Sequence, residues 1–313
     1  MSKRTVPRLL QTPAVLLLLV WMLIPLGMTL YFSFIRYVLN SLRRPEWTTP
    51  SISNWRGFGN YEYVLFDSKD FWFAVQNSLF IVCSILILTV ILGLALAVLV
   101  NRSFPGRGIV RVLLISPFFV MPAVNAVLWI NMILDPVLGL NGLAIEGLNE
   151  MVRNLRDFPV LGAFFSMWPE IEPISFRATQ TSAYAVIMMV TWQWTPFAVL
   201  IFMTSLQSED ESQKEAAILD GANAWSRFRN LTVPHLARPI AIVVMIQSIF
   251  HLSLYAEIEI TSRGNGNKNL PYLIGEFTSN NIGAASPSGI FAVILANIVA
   301  IFLLRMVGKN LMD

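Results

Sequence analysis

Six long apolar segments restrict this chain to folds that place them in a membrane or pack them against one another. Hydrophobic residues make up 55% of the 313 residues and charged residues only 13%, about half the charged share of an ordinary soluble domain. A soluble domain of this size would lack enough polar side chains for its surface. Because a transmembrane helix needs about 20 apolar residues, we predict six spans at residues 13–34, 74–100, 112–134, 182–207, 240–260 and 288–307.

The distribution of Lys and Arg predicts how these spans are oriented. With a cytoplasmic N-terminus, the inside segments hold 12 of the 22 Lys and Arg residues in 64 residues, and the outside segments hold the other 10 in 113 residues. Cytoplasmic segments are the ones enriched in Lys and Arg, so both termini are predicted to be cytoplasmic. We interpret the first apolar segment as a retained helix, because no A-x-A-like cleavage site follows it.

A polar insert at residues 208–239 separates the fourth and fifth spans and carries a spaced motif. The motif consists of Glu215-Ala216-Ala217, then Gly221 after three residues, then Leu231-Thr232-Val233-Pro234 after nine more. Adjacent alanines favour a helix with little bulk, which another protein can approach closely. Glycine allows the helix to bend and proline ends the next one. Three acidic residues before the motif are predicted to form a solvated first helical turn: Glu209, Asp210 and Glu211.

This spacing resembles the EAA loop of binding-protein-dependent ABC importer permeases, in which short cytoplasmic helices dock onto the ATPase subunit. The resemblance extends over about residues 58–309, and the run Gly57 to Tyr61 at its start is similar to a G-x-x-N-Y run in sugar-type permeases. It implies an all-α polytopic membrane protein with six transmembrane helices, the type I ABC importer transmembrane domain. It further implies a first helix and periplasmic segment at 1–73, a permease domain at 74–307 and a cytoplasmic tail at 308–313.

The same resemblance implies that the chain is not an enzyme and that ATP is hydrolysed by a partner. The nucleotide-binding pattern G-x-x-x-x-G-K-[ST] does not occur in the sequence, so no cofactor is expected, and ATP and Mg would bind the partner ATPase. The implied partners are a dimer of ATP-binding subunits, a second homologous permease, a periplasmic or lipid-anchored solute-binding protein and membrane lipid, without nucleic acid. The ATPase-coupling residues would be Glu215, Ala216, Ala217, Gly221, Leu231 and Pro234.

Polar residues within the spans are candidates for a substrate path. In the fourth span, polar and aromatic residues surround Pro196, which leaves the Trp192 carbonyl without its helical partner. In the fifth span, three polar residues recur at i, i+4 and i+8 and therefore share one helical face. Such groups line a cavity or form hydrogen bonds between helices, and both interpretations stay open here. The candidates are Gln193, Trp194, Phe197, Gln247, His251, Tyr255 and Asn125, while Glu257 and Glu259 are expected to face water.

We therefore predict a permease subunit of an ATP-driven importer that moves a sugar or polyol across the bacterial inner membrane. The resemblance of the C-terminal span to sorbitol/mannitol-type permeases favours a polyol weakly. An ABC permease for an amino acid is an alternative, although such permeases usually lack the long outside segments. An ion-coupled secondary transporter would need carboxylates deep in the helices, and a membrane enzyme would need a His/Asp/Glu cluster, and neither pattern is evident.

Overall fold

The computed structural model describes residues 5–39, 44–158 and 162–312, and the regular structure in these ranges is helical. The only strand-like pairings among them are two isolated antiparallel bridges, Ile35 with Trp55 and Val38 with Asn281. The α-helices are α1 Thr5–Ser33, α2 Gly59–Glu62, α3 Lys69–Asn101, α4 Arg107–Ile115, α5 Pro122–Leu128, α6 Leu140–Arg156, α7 Gly162–Phe165, α8 Ser182–Gln207, α9 Glu211–Leu219, α10 Ala224–Arg227, α11 Val233–His235, α12 Ala237–His251, α13 Ala256–Ser262, α14 Leu270–Asn280 and α15 Ile282–Met312.

Four of the described helices are long and apolar enough to cross a membrane by themselves: Leu10–Ser33, Lys69–Asn101, Ser182–Gln207 and Ile282–Arg305. Two further stretches qualify only as bent pairs. Arg107–Phe119 meets Pro122–Ile133 at 103°, and Ala224–His235 meets Ala237–His251 at 55°. The predicted all-α polytopic fold is confirmed, and the count reaches six when each bent pair is taken as one span.

The predicted third span is broken in its middle, and two prolines explain the break. Pro117 lies in a 3-10 turn at Ser116–Phe119, and Pro122 begins α5. Proline lacks a backbone N–H and disfavours helical geometry in the residue before it. Met121 accordingly has an extended conformation, with φ of −62° and ψ of 141°. The two halves therefore turn sharply where a straight helix was expected.

Proline has a different effect in α8, which continues unbroken through Pro196. The Thr195 hydroxyl donates to the Thr191 carbonyl at 2.6 Å, one turn earlier in the helix. This bond does not involve the Trp192 carbonyl, which is the group that Pro196 leaves without its helical partner, yet the helix stays continuous on both sides of the proline. The helix therefore holds the candidate residues of the fourth span on one rigid element.

The chain divides into two compact units, of which the first comprises the described residues up to Val75 together with Leu270–Leu295. Its buried core contains Val64, Phe71, Ala74, Leu270, Leu273 and Ala284. Asn60 is 2% exposed, and its amide donates to the carbonyls of Ser33 and Ile35 at 3.0 and 2.7 Å. The Asn of the G-x-x-N-Y run thus fixes the chain where α1 ends.

The second unit comprises Gln76–Asn269 and the described residues from Ala296 onward. A buried cluster joins α3, α8 and the start of α12 through Ala97, Ala198, Val199, Phe202, Leu206, Leu236 and Val243. Small residues at such contacts let membrane helices approach closely. This unit contains the polar insert and all seven candidate substrate-path residues.

Candidate functional site

The polar insert folds as two short helical limbs, each with a capped start. Asp210 precedes α9, and its carboxylate accepts a hydrogen bond from the Ser212 N–H at 2.9 Å. Hydrogen bonds from the Ser212 side chain and backbone lower the pKa of Asp210, so this cap stays ionised at neutral pH. Asn223 caps α10 in the same way, accepting from Ser226 N–H at 2.8 Å. Between the limbs, Gly221 has φ of +80°, a left-handed conformation that glycine adopts without strain.

The motif residues are exposed or half-buried on the surface of this hairpin. Glu215, Ala216 and Pro234 are exposed, and Ala217 and Leu231 are half-buried. Three large apolar side chains beside them are also exposed: Ile218 at 54%, Leu219 at 88% and Trp225 at 68%. Clustered exposed apolar residues on a polar loop mark an interaction surface. The motif spacing did not indicate these three residues, although their apolar character within a charged insert could have done so.

Buried polar contacts hold the two limbs together. The Glu209 side chain is only 6% exposed and lies 3.4 Å from the Lys214 ammonium. It also accepts a hydrogen bond from the Thr232 hydroxyl at 3.1 Å. At the end of the insert, His235 Nε2 lies 2.9 Å from the Ser205 carbonyl of α8. The expectation that Glu209 belongs to a solvated turn is therefore wrong, because its carboxylate joins the start of the insert to its second limb.

Two of the candidate substrate-path residues form hydrogen bonds at the break in the third span. Asn125 of α5 is fully buried and donates to the Gln193 side chain at 3.0 Å and to the Met189 carbonyl at 3.1 Å. Gln193 in turn donates to the carbonyl of Val120 at the break. Backbone groups buried in a membrane need such partners. Gln193 and the Asn125 N–H groups therefore form hydrogen bonds between helices, while the Asn125 side-chain oxygen has no hydrogen-bond partner among the described residues.

A second polar group on α12 has unused hydrogen-bonding capacity. Gln247 is fully buried, and His251 is 1% exposed. The Gln247 amide donates to the Trp194 carbonyl at 3.3 Å. Its oxygen and both ring nitrogens of His251 have no hydrogen-bond partner among the described residues. Unsatisfied buried polar atoms are costly, so these three atoms are the strongest signal of a site that receives hydrogen bonds from elsewhere.

Tyr255 does not share the helical face of Gln247 and His251. Helix α12 ends at His251, and Tyr255 precedes α13 with φ of −134° and ψ of −53°. Its side chain is 45% exposed. The predicted i, i+4, i+8 face is therefore wrong for Tyr255, because the helical period ends before it.

Glu257 also differs from expectation. It was expected to face water, but it is only 4% exposed, in the first turn of α13. Helix α13 packs against α5 and α8, and this packing covers the side chain.

An aromatic cluster lies beside His251 on the half-exposed side of α8. It consists of Phe118, Trp194, Phe197 and Phe250. Trp194 contacts Phe250 and His251 with ring centroids 5.1 and 5.0 Å apart, and Phe118 stacks on Phe197 at 5.8 Å. Aromatic faces next to hydrogen-bonding groups form an amphipathic surface. The structure thus places the predicted Trp194 against His251 and the predicted Phe197 against Trp194, and it adds Phe118 and Phe250, which the sequence did not single out.

Within the described ranges, no group of three or more His, Cys, Asp or Glu side chains is placed to hold a metal ion. The two candidate regions are the hydrogen-bonding and aromatic groups around His251 and the exposed hairpin of the polar insert.

Long apolar helices, a polar centre and an exposed hairpin together define an integral membrane transport subunit. Residues 89–313 match the family described as "Binding-protein-dependent transport system inner membrane component". The chain belongs to this family, as the spacing of its polar insert predicted, and it is a multi-pass protein of the inner membrane.

Curated relatives match between 79% and 98% of the chain. "Inner membrane ABC transporter permease protein YcjO" of Escherichia coli K12 is 28% identical, with 97% of this chain and 94% of the relative covered. "Trehalose transport system permease protein SugA" of Mycobacterium tuberculosis is 23% identical, with coverages of 98% and 90%. "Lactose transport system permease protein LacF" of Rhizobium radiobacter is 28% identical, with coverages of 79% and 76%.

Solved structures show the same fold. A bacterial ABC transporter "involved in the import of the acidic polysaccharide alginate" contains a chain that matches with a TM-score of 0.71 and 19% identity, covering 97% of this chain and 95% of that chain. A second structure of the alginate transporter, in complex with "alginate pentasaccharide-bound periplasmic protein", matches with a TM-score of 0.70 and 19% identity, covering 96% and 93%. The likeness confirms the predicted fold of an ABC importer transmembrane domain.

Proposed function

We propose that the chain is a permease subunit that moves a sugar or polyol into the cell, driven by ATP hydrolysis on a partner. The observation that carries this proposal is the set of unsatisfied polar atoms on Gln247 and His251 beside the aromatic cluster. Hydroxyl groups can donate to the Gln247 oxygen and exchange hydrogen bonds with the imidazole, and the aromatic faces suit the C–H faces of a sugar ring. Relatives named for trehalose and lactose transport support a carbohydrate over an amino acid.

The polar insert would transmit the conformational change of the ATPase. Its exposed Ile218, Leu219 and Trp225 provide an apolar contact area, and Glu215 provides a carboxylate at the edge. The buried Glu209 contacts make the hairpin one rigid body, so a push on α9 would be passed to α8 and α12. The complete importer would contain a dimer of ATP-binding subunits, a second permease and a periplasmic or lipid-anchored solute-binding protein, with ATP and Mg held by the ATPase.

Transport by the reconstituted importer tests the substrate class. Proteoliposomes containing this chain with its ATPase, second permease and binding protein are expected to accumulate a sugar or polyol in an ATP-dependent way. A panel of monosaccharides, disaccharides and polyols is compared with amino acids of similar size. Accumulation of an amino acid without any carbohydrate would reverse the assignment.

Orientation is a separate prediction, because the Lys and Arg distribution places both termini and the polar insert in the cytoplasm. The lone Cys83 lies in α3, so the test uses a Cys83→Ser background. Cysteines at Ser51 and Ser166 are expected to react with an impermeant thiol reagent in cells with a permeabilised outer membrane, whereas a cysteine at Ser226 reacts only after lysis. Labelling of the Ser226 site in intact cells would invert the topology.

A further inference from the structure

A cavity of about 390 Å³ lies between the polar insert and the ends of two spanning helices. Helix α3 ends at Asn101 and α8 at Gln207, and residues adjacent to both ends line the cavity. Asn101 and Arg102 are the first polar residues after the apolar run of α3, and charged side chains at the ends of spanning helices reach the membrane–water interface, so we infer that the cavity lies at the membrane surface. We call it the insert cavity.

The walls of the insert cavity combine apolar and cationic groups. Val98, Leu206, Phe228 and Leu231 form its apolar side. Such a wall fits acyl chains and glycerol better than a fully hydrated ion. The cavity therefore has the character of an amphiphile site.

Its charged groups leave a net positive potential. Glu209 and Lys214 line the cavity and neutralise each other through the 3.4 Å ion pair. Arg102 and Arg227 also line it and add two positive charges. Arg227 Nη1 donates to the Ala222 carbonyl at 3.0 Å, which uses one of the five N–H groups of its guanidinium.

We propose that the insert cavity binds the phosphate of an anionic phospholipid, held by Arg102 and Arg227. Guanidinium groups bind phosphate oxygens through paired, charge-assisted hydrogen bonds. Basic pockets between membrane helices bind anionic headgroups when they lie at the membrane surface. An acidic side chain of the ATPase would satisfy the arginines but leave the apolar wall without a partner, so the combined lining favours a lipid.

The position of the two arginines gives the lipid a regulatory effect. Arg102 directly follows α3, and Arg227 ends α10 in the second limb of the insert. A phosphate between them would tie the insert to the membrane surface and limit its tilt relative to α3. The binding itself is independent of the proposed function, whereas the effect on the coupling of ATP hydrolysis to transport rests on it.

Lipid binding is measured on the intact importer in nanodiscs of phosphatidylcholine with graded phosphatidylglycerol. Native mass spectrometry counts retained lipids, and the half-saturating phosphatidylglycerol fraction is read from ATPase activity. Arg102→Gln and Arg227→Gln are each expected to raise that fraction about 5-fold, and the double variant about 25-fold. Arg102→Lys keeps the charge but loses the paired guanidinium hydrogen bonds, so its half-saturating fraction is expected to lie between those of the wild type and Arg102→Gln. Arg229→Gln is the matched control, because Arg229 lies in the same limb but outside the cavity lining.

The alternatives give different results. Unchanged lipid retention and half-saturation in the double variant would overturn the proposal. Equal activation by inorganic phosphate in pure phosphatidylcholine would overturn it in favour of a free-anion site. Loss of the ATPase from the double variant with lipid retention unchanged would assign the arginines to the ATPase. A failure of the transport proposal leaves the lipid count unaffected, so the two outcomes are distinguishable.

Discussion

Gly221→Asp is expected to abolish transport while the permease itself still folds and inserts. Gly221 has φ of +80°, and a Cβ added there would meet no atom of this chain within 4 Å. Aspartate adopts the left-handed region more readily than most residues, so the cost to the isolated fold is small. The side chain and its charge would instead enter the space beside α9 that we propose the ATPase occupies. A side chain added to a well-packed contact is destabilising, so we expect the ATPase to dissociate from the permease.

Gly106→Asp provides a matched control for the backbone effect. Gly106 has φ of +83°, and a Cβ there likewise meets nothing within 4 Å, but it lies in the turn before α4. Gly106→Asp is expected to retain transport and ATPase binding. Glu215→Ala should impair transport less than Gly221→Asp, since an exposed ion pair contributes about 0–1 kcal/mol. The measurements are solute uptake and co-purification of the ATPase. Normal values of both for Gly221→Asp would contradict the proposed role of the insert in coupling.

Features with a regular spacing could be predicted from the sequence. Long apolar runs predicted α1, α3, α8 and α15, because a membrane requires a fixed length of hydrophobic helix. The fixed spacing in the polar insert predicted a short helix that breaks or bends at Gly221 and a second segment that ends at Pro234, because glycine adopts left-handed conformations without strain and proline interrupts a helix. The family match confirms the class of protein that this spacing indicated.

Features that depend on tertiary contacts could not be predicted. In the sequence, Glu209 is one of three acidic residues before α9, a pattern typical of a solvated first helical turn. Its burial follows from contacts with Thr232 and Lys214, which only the folded structure shows. The 103° bend required two prolines and a partner for the freed Val120 carbonyl, which comes from Gln193, 73 residues away. The predicted polar face continued past His251 to Tyr255, because nothing in the local sequence indicates that α12 ends at His251.

His251→Leu is expected to reduce uptake strongly while leaving the folded permease as stable as before or more stable. Both ring nitrogens of His251 lack a partner among the described residues. A buried imidazole without hydrogen bonds lowers the stability of the fold, so His251 would be unfavourable if its role were only structural. Replacing an unsatisfied buried polar group with an apolar one of similar shape is neutral or stabilising. If a solute hydroxyl pairs with each nitrogen, losing two hydrogen bonds costs about 1–3 kcal/mol of binding free energy, or roughly 5- to 150-fold in affinity.

Gln193→Leu separates this effect from general damage to the bundle. Gln193 accepts from Asn125 and donates to the Val120 carbonyl, so its replacement leaves two buried groups unpaired. We expect a loss of about 1–3 kcal/mol in stability, seen as a lower unfolding temperature of the purified permease. The two variants should therefore differ in which quantity changes. His251→Leu is expected to keep its unfolding temperature and to lose solute affinity, whereas the main effect of Gln193→Leu is expected to be a lower unfolding temperature. Wild-type uptake kinetics in His251→Leu would assign the imidazole to packing against Trp194 and would place the solute on the partner permease.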